Sequence, residues 1–422
     1  MAPVALRVLG AAGAAVLLLP AVLLPAAPAA ADSDTLPGVA QVNPNYQQRG
    51  CLTASAAATD RTPWPQTFLR PEAAWALTEG DGVTVAVLGS GVDGASGALA
   101  GRLSQAGRLS GGGDPARDCV GHGTFVAGLI AAAQRPGTGF AGIAPRARIL
   151  AVGVTDEAGN TSADLLVAGI RAAADGGARV IDVAAAPPSG AADALSAAAR
   201  YAVGKGALVV LPAAADAQNR AQAQSPGPSG LPTGPGVLAV GDLGPTGLPP
   251  QVASSATPAA ATGGRVDLVA PGDAVMSVGP GGPGYFTGSG PSFATAFVAG
   301  TAALVLAYRP ELTVDQLTHR LTATAYHPGT TLPDARLGYG TVDPVAAVTA
   351  VLPQESGATP LAAPPPGAAM LPPAARSAAA PQALAVAGGA LAVVVAVALA
   401  AVVLPRGRRA GWRPQAGRAY EE

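Results

Sequence analysis

The sequence predicts an α/β domain in which helices cover both faces of a parallel β-sheet. Apolar, strand-like runs alternate with Ala-rich helical stretches from about residue 62 to residue 351. The runs are continuously apolar, which is typical of strands that are buried on both faces. Strand–helix alternation builds right-handed crossover units, whose strand carboxyl ends meet at one edge of the sheet. We therefore expect functional side chains at that edge.

Each strand-like run is followed by its own helical stretch. VTVAVLGS ends in the turn signal Ser90-Gly91 and precedes GHGTFVAGLIAAA. ARILAVGV precedes SADLLVAGIRAAADGGA, and ARVIDVAA precedes AADALSAAARYAVGKG, after which ALVVLPAA begins. This strand–helix order indicates a parallel sheet covered by helices.

Composition narrows the class of function. The 422-residue chain has a formal net charge of −1, so it lacks the basic footprint of a nucleic-acid-binding protein. It contains 56 glycines and 41 prolines, which indicates a loop-rich domain combined with low-complexity segments. We expect no cofactor and no resident metal.

Both ends of the chain predict a secreted, membrane-anchored protein. Residues 1–31 contain an early arginine, the apolar stretch AAVLLLPAVLL and the sequence APAAAD, the pattern of a cleaved signal peptide. Residues 383–404 are apolar and uncharged over a length that spans a bilayer as a helix. Arginines follow in residues 405–422, which the positive-inside rule places in a cytoplasmic tail. We therefore expect a single-pass type I protein of the cell membrane, with its α/β domain extracytoplasmic.

Two further boundaries lie between these ends. Residues 32–69 form an N-terminal extension ahead of the domain of residues 70–351. Residues 352–382 include LAAPPPGAAMLPPAARSAAAP, a composition typical of a semi-rigid linker.

The chain has two cysteines, Cys51 and Cys119, and both fall in the part expected outside the cytoplasm. One disulfide is the simple assignment for an oxidising compartment, and two free thiols are the alternative. A bridge would tie the N-terminal extension to the region just before GHGT.

Two short segments carry residues suited to acyl transfer. GHGTFVAGLIAA places His122 between glycines at the start of a helical pattern, and GSGPSFATAFVAGTAALVLA places Ser292 at the mouth of a long Ala-rich helix. Glycines allow substrate to approach closely, and free amides at a helix N-terminus can hold an oxyanion. Taken singly, His122 is more simply a core histidine and Ser292 a helix N-cap.

Together and in this order, the two segments resemble the subtilase family of serine proteases. The resemblance covers about residues 70–347, and GIAPRARILAVGV, VIDVA, PGVLAVG, VDLVAPG and LGYGTVDPVAAV also match in register. Within the family the chain is most similar to the mycosins, membrane-anchored subtilases of actinobacterial type VII secretion systems. DCVGHGT with its cysteine, the partner cysteine, FATAFVAGTAALV and the C-terminal apolar helix carry that likeness.

The resemblance implies a subtilisin-like fold and a serine endopeptidase, a hydrolase that needs no cofactor. Ser292 would be the nucleophile and His122 the general base. Ala184 and Gly290 would contact an extended peptide or secreted protein substrate. The short extension would be an arm on the domain, held by the disulfide, rather than a folded pro-domain.

The sequence departs from the family pattern at the third triad position. Subtilase strands read VAVID or VAVLD, whereas VAVLGSGVD has Gly89 in place of the aspartate. His122 would lose the carboxylate that fixes its tautomer and stabilises its imidazolium. In subtilisin, a distant relative, loss of that aspartate alone lowers kcat by about 3 × 10⁴-fold, or about 6 kcal/mol. Asp93 and Asp118 are weak candidates to replace it.

Further departures fall at the oxyanion site and the substrate strand. The family's oxyanion asparagine follows a buried strand, and ALVVLPAAADAQN has Asp216 at that position, with Asn219 three residues later. An ionised carboxylate repels a developing oxyanion, whereas a protonated one can donate to it. Pro291 replaces the threonine before the nucleophile but should leave the Ser292 N–H available. The strand VIDVAAA differs from the family pattern through Asp182 and Ala184.

Three hypotheses for the function follow. The favoured one is a pseudoprotease kept as a scaffold beside a type VII secretion membrane complex, because three parts of one mechanism have changed. The second is an active endopeptidase that cleaves secreted proteins with Ser292 and His122. The third is a module that captures extended peptides without cutting them.

Overall fold

The computed structural model describes residues 36–43, 45–111, 114, 116–216, 231–250 and 265–355. The predicted signal peptide, most of the linker, the transmembrane helix and the cytoplasmic tail lie outside these ranges, as does Asn219.

The strands form one large parallel sheet and one small sheet. In chain order they are β1 (Gly38–Val39), β2 (Thr84–Gly89), β3 (Leu103–Arg108), β4 (Arg148–Gly153), β5 (Val180–Val183), β6 (Leu208–Pro212), β7 (Val237–Leu243), β8 (Leu268–Pro271), β9 (Val275–Val278) and β10 (Tyr285–Gly288). The seven-stranded sheet has the order β3-β4-β2-β5-β6-β7-β8 and is parallel throughout. The predicted fold class is confirmed.

Helices cover both faces of this sheet. They are α1 (Tyr46–Arg49), α2 (Trp64–Leu69), α3 (Glu72–Trp75), α4 (His122–Ala131), α5 (Ala163–Asp175), α6 (Ala192–Gly204), α7 (Pro291–Tyr308), α8 (Val314–Ala323) and α9 (Pro344–Thr349), followed by a 3₁₀ turn (Pro353–Glu355). Alternate residues of β2 face different layers: Val85 and Val87 belong to the core under α4 and α7, whereas Ala86 and Leu88 belong to the core under α5 and α6.

Helix α7 is the main core element. Among the described residues it is the one helix long and apolar enough to cross a membrane, yet 89% of it is buried inside the domain. It lies against strands from the middle of the sheet to β8. Its apolar composition therefore reflects its place in the core, and its first turn is fixed in position by packing along its whole length.

The N-terminal extension packs on the domain. Strand β1 adds in parallel to β10, and β9 pairs with β10 on the other side, so the small sheet has the order β1-β10-β9. A disulfide joins Cys51 to Cys119, and the Leu52 N–H donates to the Cys119 carbonyl at 2.8 Å. The extension is thus held at one end by strand pairing and at the other by a covalent bond beside α4.

Candidate functional site

Three elements meet at the carboxyl edge of the large sheet: the end of β2, the start of α4 and the start of α7. Helix α4 begins after Gly121, whose φ of 86° is in the left-handed region. A Cβ at Gly121 would also lie 2.6 Å from the Leu52 side chain. Helix α7 begins with Pro291, whose fixed φ suits the first helical position. Local backbone chemistry thus explains why both helices start here.

His122 and Ser292 are brought together as the sequence predicted. Nε2 of His122 lies 2.7 Å from Oγ of Ser292. The imidazole packs against the Phe293 ring, with centroids 4.8 Å apart. The Nε2–Oγ distance is the one expected of a nucleophile and its general base. Both side chains are closed off, however, because His122 is 2% exposed and Ser292 is 0% exposed.

At the third triad position, Gly89 leaves a space with no carboxylate in it. A Cβ on Gly89 would lie 3.7 Å from the Ala184 Cβ and 3.8 Å from the Gly123 Cα, both ordinary contacts. The neighbouring Ser90 hydroxyl accepts the Gly123 N–H at 3.0 Å and so joins β2 to α4. Across the described ranges, no carboxylate forms a hydrogen bond with Nδ1 of His122.

Neither candidate replacement for the missing aspartate acts on His122. Asp118 is buried and accepts four hydrogen bonds, from the N–H groups of Val120, Gly121 and Thr124 and from the Thr124 hydroxyl. It therefore caps the start of α4. The Asp93 carboxylate accepts the N–H groups of Ala95 and Gly281 at 2.7 and 2.9 Å. An aspartate three residues before the N-cap Gly121 is a capping signal in the sequence, and it identifies Asp118 as a structural residue.

Asp216 occupies the place where an oxyanion would be held. Its Oδ1 accepts the Ser292 N–H at 2.9 Å, and its Oδ2 accepts the Ser292 hydroxyl. The expectation that the Ser292 N–H is available is therefore wrong: the amide is already bonded to a carboxylate. A Cβ at Gly290 would lie 2.2 Å from Oδ1 of Asp216, so the glycine is what lets the carboxylate sit there.

These hydrogen bonds allow two arrangements of the protons, because Ser292 has one hydroxyl proton to donate. With an ionised Asp216, Ser292 donates to Oδ2 and His122 donates to Oγ, which is the reverse of the arrangement that activates a serine. With a protonated Asp216, the carboxyl donates to Oγ and Ser292 donates to Nε2 of His122. In both arrangements the Asp216 carboxyl competes with His122 for the serine hydroxyl.

The predicted substrate strand is closed as well. Ala184 is 0% exposed, and its N–H donates to the Leu88 carbonyl at 2.9 Å. On the other side, just before Gly290, Thr287 and Gly288 pair with β1 of the chain's own extension. Ala184 and Gly290 thus lie near the triad positions, but Ala184 is buried and Gly290 packs on a carboxylate.

Two aspartates have raised pKa values that the sequence did not predict: Asp182, which the sequence marks only as a departure from the family pattern, and Asp242. Asp182 is in register with Val87 and Val210 on the face that packs under α7, and its carboxylate has no hydrogen-bond partner in the described part. The nearby Thr295 hydroxyl donates instead to the Ser292 carbonyl. Burial raises the pKa of Asp182 to about 7. Burial, aided by the charges of Asp216 and Asp273, raises the pKa of Asp242 to about 7.

A cavity of about 200 Å³ adjoins Asp216. Its other walls are the extension at Gly38–Gln41 and the residues that follow β10, Thr287, Gly288 and Ser289. Within the ranges that the structure describes, no group of three or more His, Cys, Asp or Glu side chains is placed to hold a metal ion.

Comparison with known proteins places this geometry in context. Residues 80–340 match the family model described as Peptidase_S8, the subtilase family. Mycosin-1 of Mycobacterium tuberculosis is 32% identical over 351 residues, which cover 71% of this chain and 75% of mycosin-1.

Solved structures of similar chains agree. The crystal structure of MycP1 from the ESX-1 type VII secretion system has a TM-score of 0.59 and 30% identity, covering 76% of this chain and 96% of MycP1. A chain in an intact ESX-5 inner membrane complex has a TM-score of 0.58 and 28% identity, covering 88% of this chain and 95% of its own length.

Proposed function

Because the chain belongs to the subtilase family, in which it is similar to the mycosins, we propose that it is a mycosin-type subtilase that no longer cuts peptides and serves as a membrane-anchored scaffold. The observation that carries this is the Asp216 carboxylate, which holds both the N–H and the hydroxyl of Ser292. The nucleophile and the oxyanion donor are thereby engaged by one side chain that a working protease would not have there.

The size of the expected loss supports the proposal. Absence of the triad carboxylate at Gly89 corresponds to about 3 × 10⁴ in kcat in subtilisin. Loss of one oxyanion donor lowers kcat by a further factor of about 10²–10³, and here a carboxylate faces the developing oxyanion. The two defects act on different groups, although such losses are not strictly additive. Little turnover remains even before the burial of Ser292 is considered.

The proposed setting is a type VII secretion complex in the cell membrane. The likeness to chains named as part of ESX-1 and ESX-5 assemblies supports this. The apolar segment 383–404 would anchor the chain as a single-pass type I protein, with residues 70–351 outside the cytoplasm.

Labelling with a serine-directed fluorophosphonate tests the loss of catalysis. The full chain is purified in a mild detergent and compared with Gly89→Asp, Asp216→Asn, the double variant and Ser292→Ala. We expect no labelling of the unmodified chain, and none of Gly89→Asp alone, because Asp216 still holds Ser292. The double variant should label, and the signal should vanish when Ser292→Ala is added.

Labelling of the unmodified chain that is lost in Ser292→Ala would overturn the proposal and favour the active endopeptidase. The 2.7 Å contact between His122 and Ser292 is the observation behind that alternative.

A second experiment tests the scaffold role. Cells that need this protein for type VII secretion should secrete normally with Ser292→Ala and should fail to secrete when residues 383–422 are deleted. Failure of Ser292→Ala at normal protein levels would contradict it.

A further inference from the structure

We propose that the cavity beside Asp216 binds a lysine or arginine side chain from an extended segment of a partner protein, with the Asp216 carboxylate as its counter-ion. The inference deepens the proposed scaffold role and rests on it, since a site free of catalysis can keep a bound segment intact. The aspartate that replaces the family's asparagine at position 216 then has two effects. It disables catalysis, and it attracts a positively charged side chain to the cavity.

The first support is the unbalanced charge at the cavity. Asp216 is about nine-tenths buried and lines the cavity wall. The charges of Asp216 and Asp273 both act on the Asp242 carboxyl and help to raise its pKa, so a second and a third acid lie close to this part of the domain. Among the described residues, no arginine or lysine forms an ion pair with any of the three. Within the described ranges, the basic side chain that contacts Asp216 is His122, at 3.4 Å. Burying a carboxylate without a cation is costly, so a positively charged ligand side chain would stabilise Asp216 beyond what the described arginines and lysines do.

The second support is the remaining bonding capacity of Asp216. An ionised carboxylate has about four acceptor sites, and Ser292 uses two of them. An ammonium or guanidinium group can therefore bond to Asp216 while Ser292 stays in place. Charge-assisted bonds of this kind are about twice as strong as neutral ones.

The third support is the shape of the cavity. Its walls are extended backbone from Gly38–Gln41 and from Thr287 to Ser289, and the pairing of β1 with β10 ends at Val39 and Gly288. Extended segments commonly recognise another extended segment by backbone bonding, with pockets for single side chains. At about 200 Å³ the space is below the usual 300–1,000 Å³ or so of small-molecule sites and suits one long side chain.

The test compares two short peptides that differ in charge alone. Acetyl-Ala-Ala-Lys-Ala-Ala-amide and its norleucine counterpart are titrated calorimetrically into the full chain in detergent. The lysine peptide should bind about tenfold tighter or more, as expected for one bond to a charged group. The preference should weaken with added salt and disappear in Asp216→Asn. It should persist in Asp164→Asn, the same change at an exposed site on α5, which covers the other face of the sheet.

Equal affinity for the two peptides, or no binding of either to the unmodified chain, would overturn the inference. So would a lysine preference that survives in Asp216→Asn. Mass spectrometry of the recovered peptides keeps the two proposals distinguishable. Cleavage would refute the loss of proteolysis while leaving the charge preference to be judged by the titrations.

Discussion

The buried carboxyl of Asp182 should make the domain less stable as the pH rises. Its pKa is about 7 in the folded state because burial disfavours the charge, against 3.8 for an ordinary aspartate. Below about pH 3 the carboxyl is neutral in both states and has no effect. Between about pH 3 and 7 the unfolded chain ionises first, so stability falls. Above pH 7 the full difference between the folded and unfolded pKa values lowers the free energy of unfolding. At about 1.4 kcal/mol per pKa unit, this loss is about 4 kcal/mol.

Asp182→Asn removes this titration while keeping the shape of the side chain. We expect its free energy of unfolding to match that of the unmodified chain near pH 3 and to exceed it increasingly up to pH 7–8. Urea unfolding of the full chain in detergent at several pH values measures the difference. Asp164→Asn serves as the control, because that carboxyl is exposed on α5. Parallel stability curves for Asp182→Asn and the unmodified chain would refute the reasoning, since the carboxyl would then be solvated or paired in the folded state.

Three further predictions concern the stability of the domain. Asp118→Ala removes the acceptor of four hydrogen bonds at the start of α4 and should lower the free energy of unfolding by about 2–4 kcal/mol in urea titrations. Glu355→Gln leaves the guanidinium of Arg320, which is 0% exposed, without its carboxylate and should cost about 3–5 kcal/mol by the same measurement. Gly290→Ala puts a methyl group 2.2 Å from Oδ1 of Asp216 and should lower the melting temperature through a loss of about 1–3 kcal/mol.

Each of these variants has a matched control. Asp118→Asn keeps one oxygen acceptor and should lose less than Asp118→Ala; equal losses would argue against the capping role. Arg320→Met tests whether the cost of Glu355→Gln comes from the stranded charge, since a well-packed apolar side chain should be tolerated better. Gly290→Ala combined with Asp216→Gly should recover part of the loss, because it removes the clash with the carboxylate but leaves an L side chain at a φ of 153°. No recovery would place the whole cost in the backbone.

Much of the fold could be predicted from the sequence because its signals are local. Continuously apolar runs such as the one from Val85 to Leu88 are required wherever a strand is covered on both faces, and helices between such strands lead to parallel pairing. Helix α7 illustrates the ambiguity that remains: its composition alone would also suit a membrane span. Only its burial against the sheet decides between the two.

The candidate site was harder to predict because its chemistry depends on the directions in which individual side chains point. That Gly89 lacks a carboxylate is evident from the sequence, and so is the acid at Asp216. The sequence does not show that Asp216 turns toward Ser292 and takes both of its donors. It also does not show that Asp182 points into the core, because strand alternation gives the face only once the pairing register is known.

The disulfide between Cys51 and Cys119 has a consequence for how the N-terminal extension can be lost. A protease cut anywhere between these two residues, which are 68 positions apart, would leave the extension bonded to the segment just before α4. Such a nicked protein would run as one species on a non-reducing gel and as two fragments after reduction. In an oxidising compartment the extension therefore cannot be shed by a single cut in this segment, and only a cut between β1 and Cys51 could release the strand that pairs with β10.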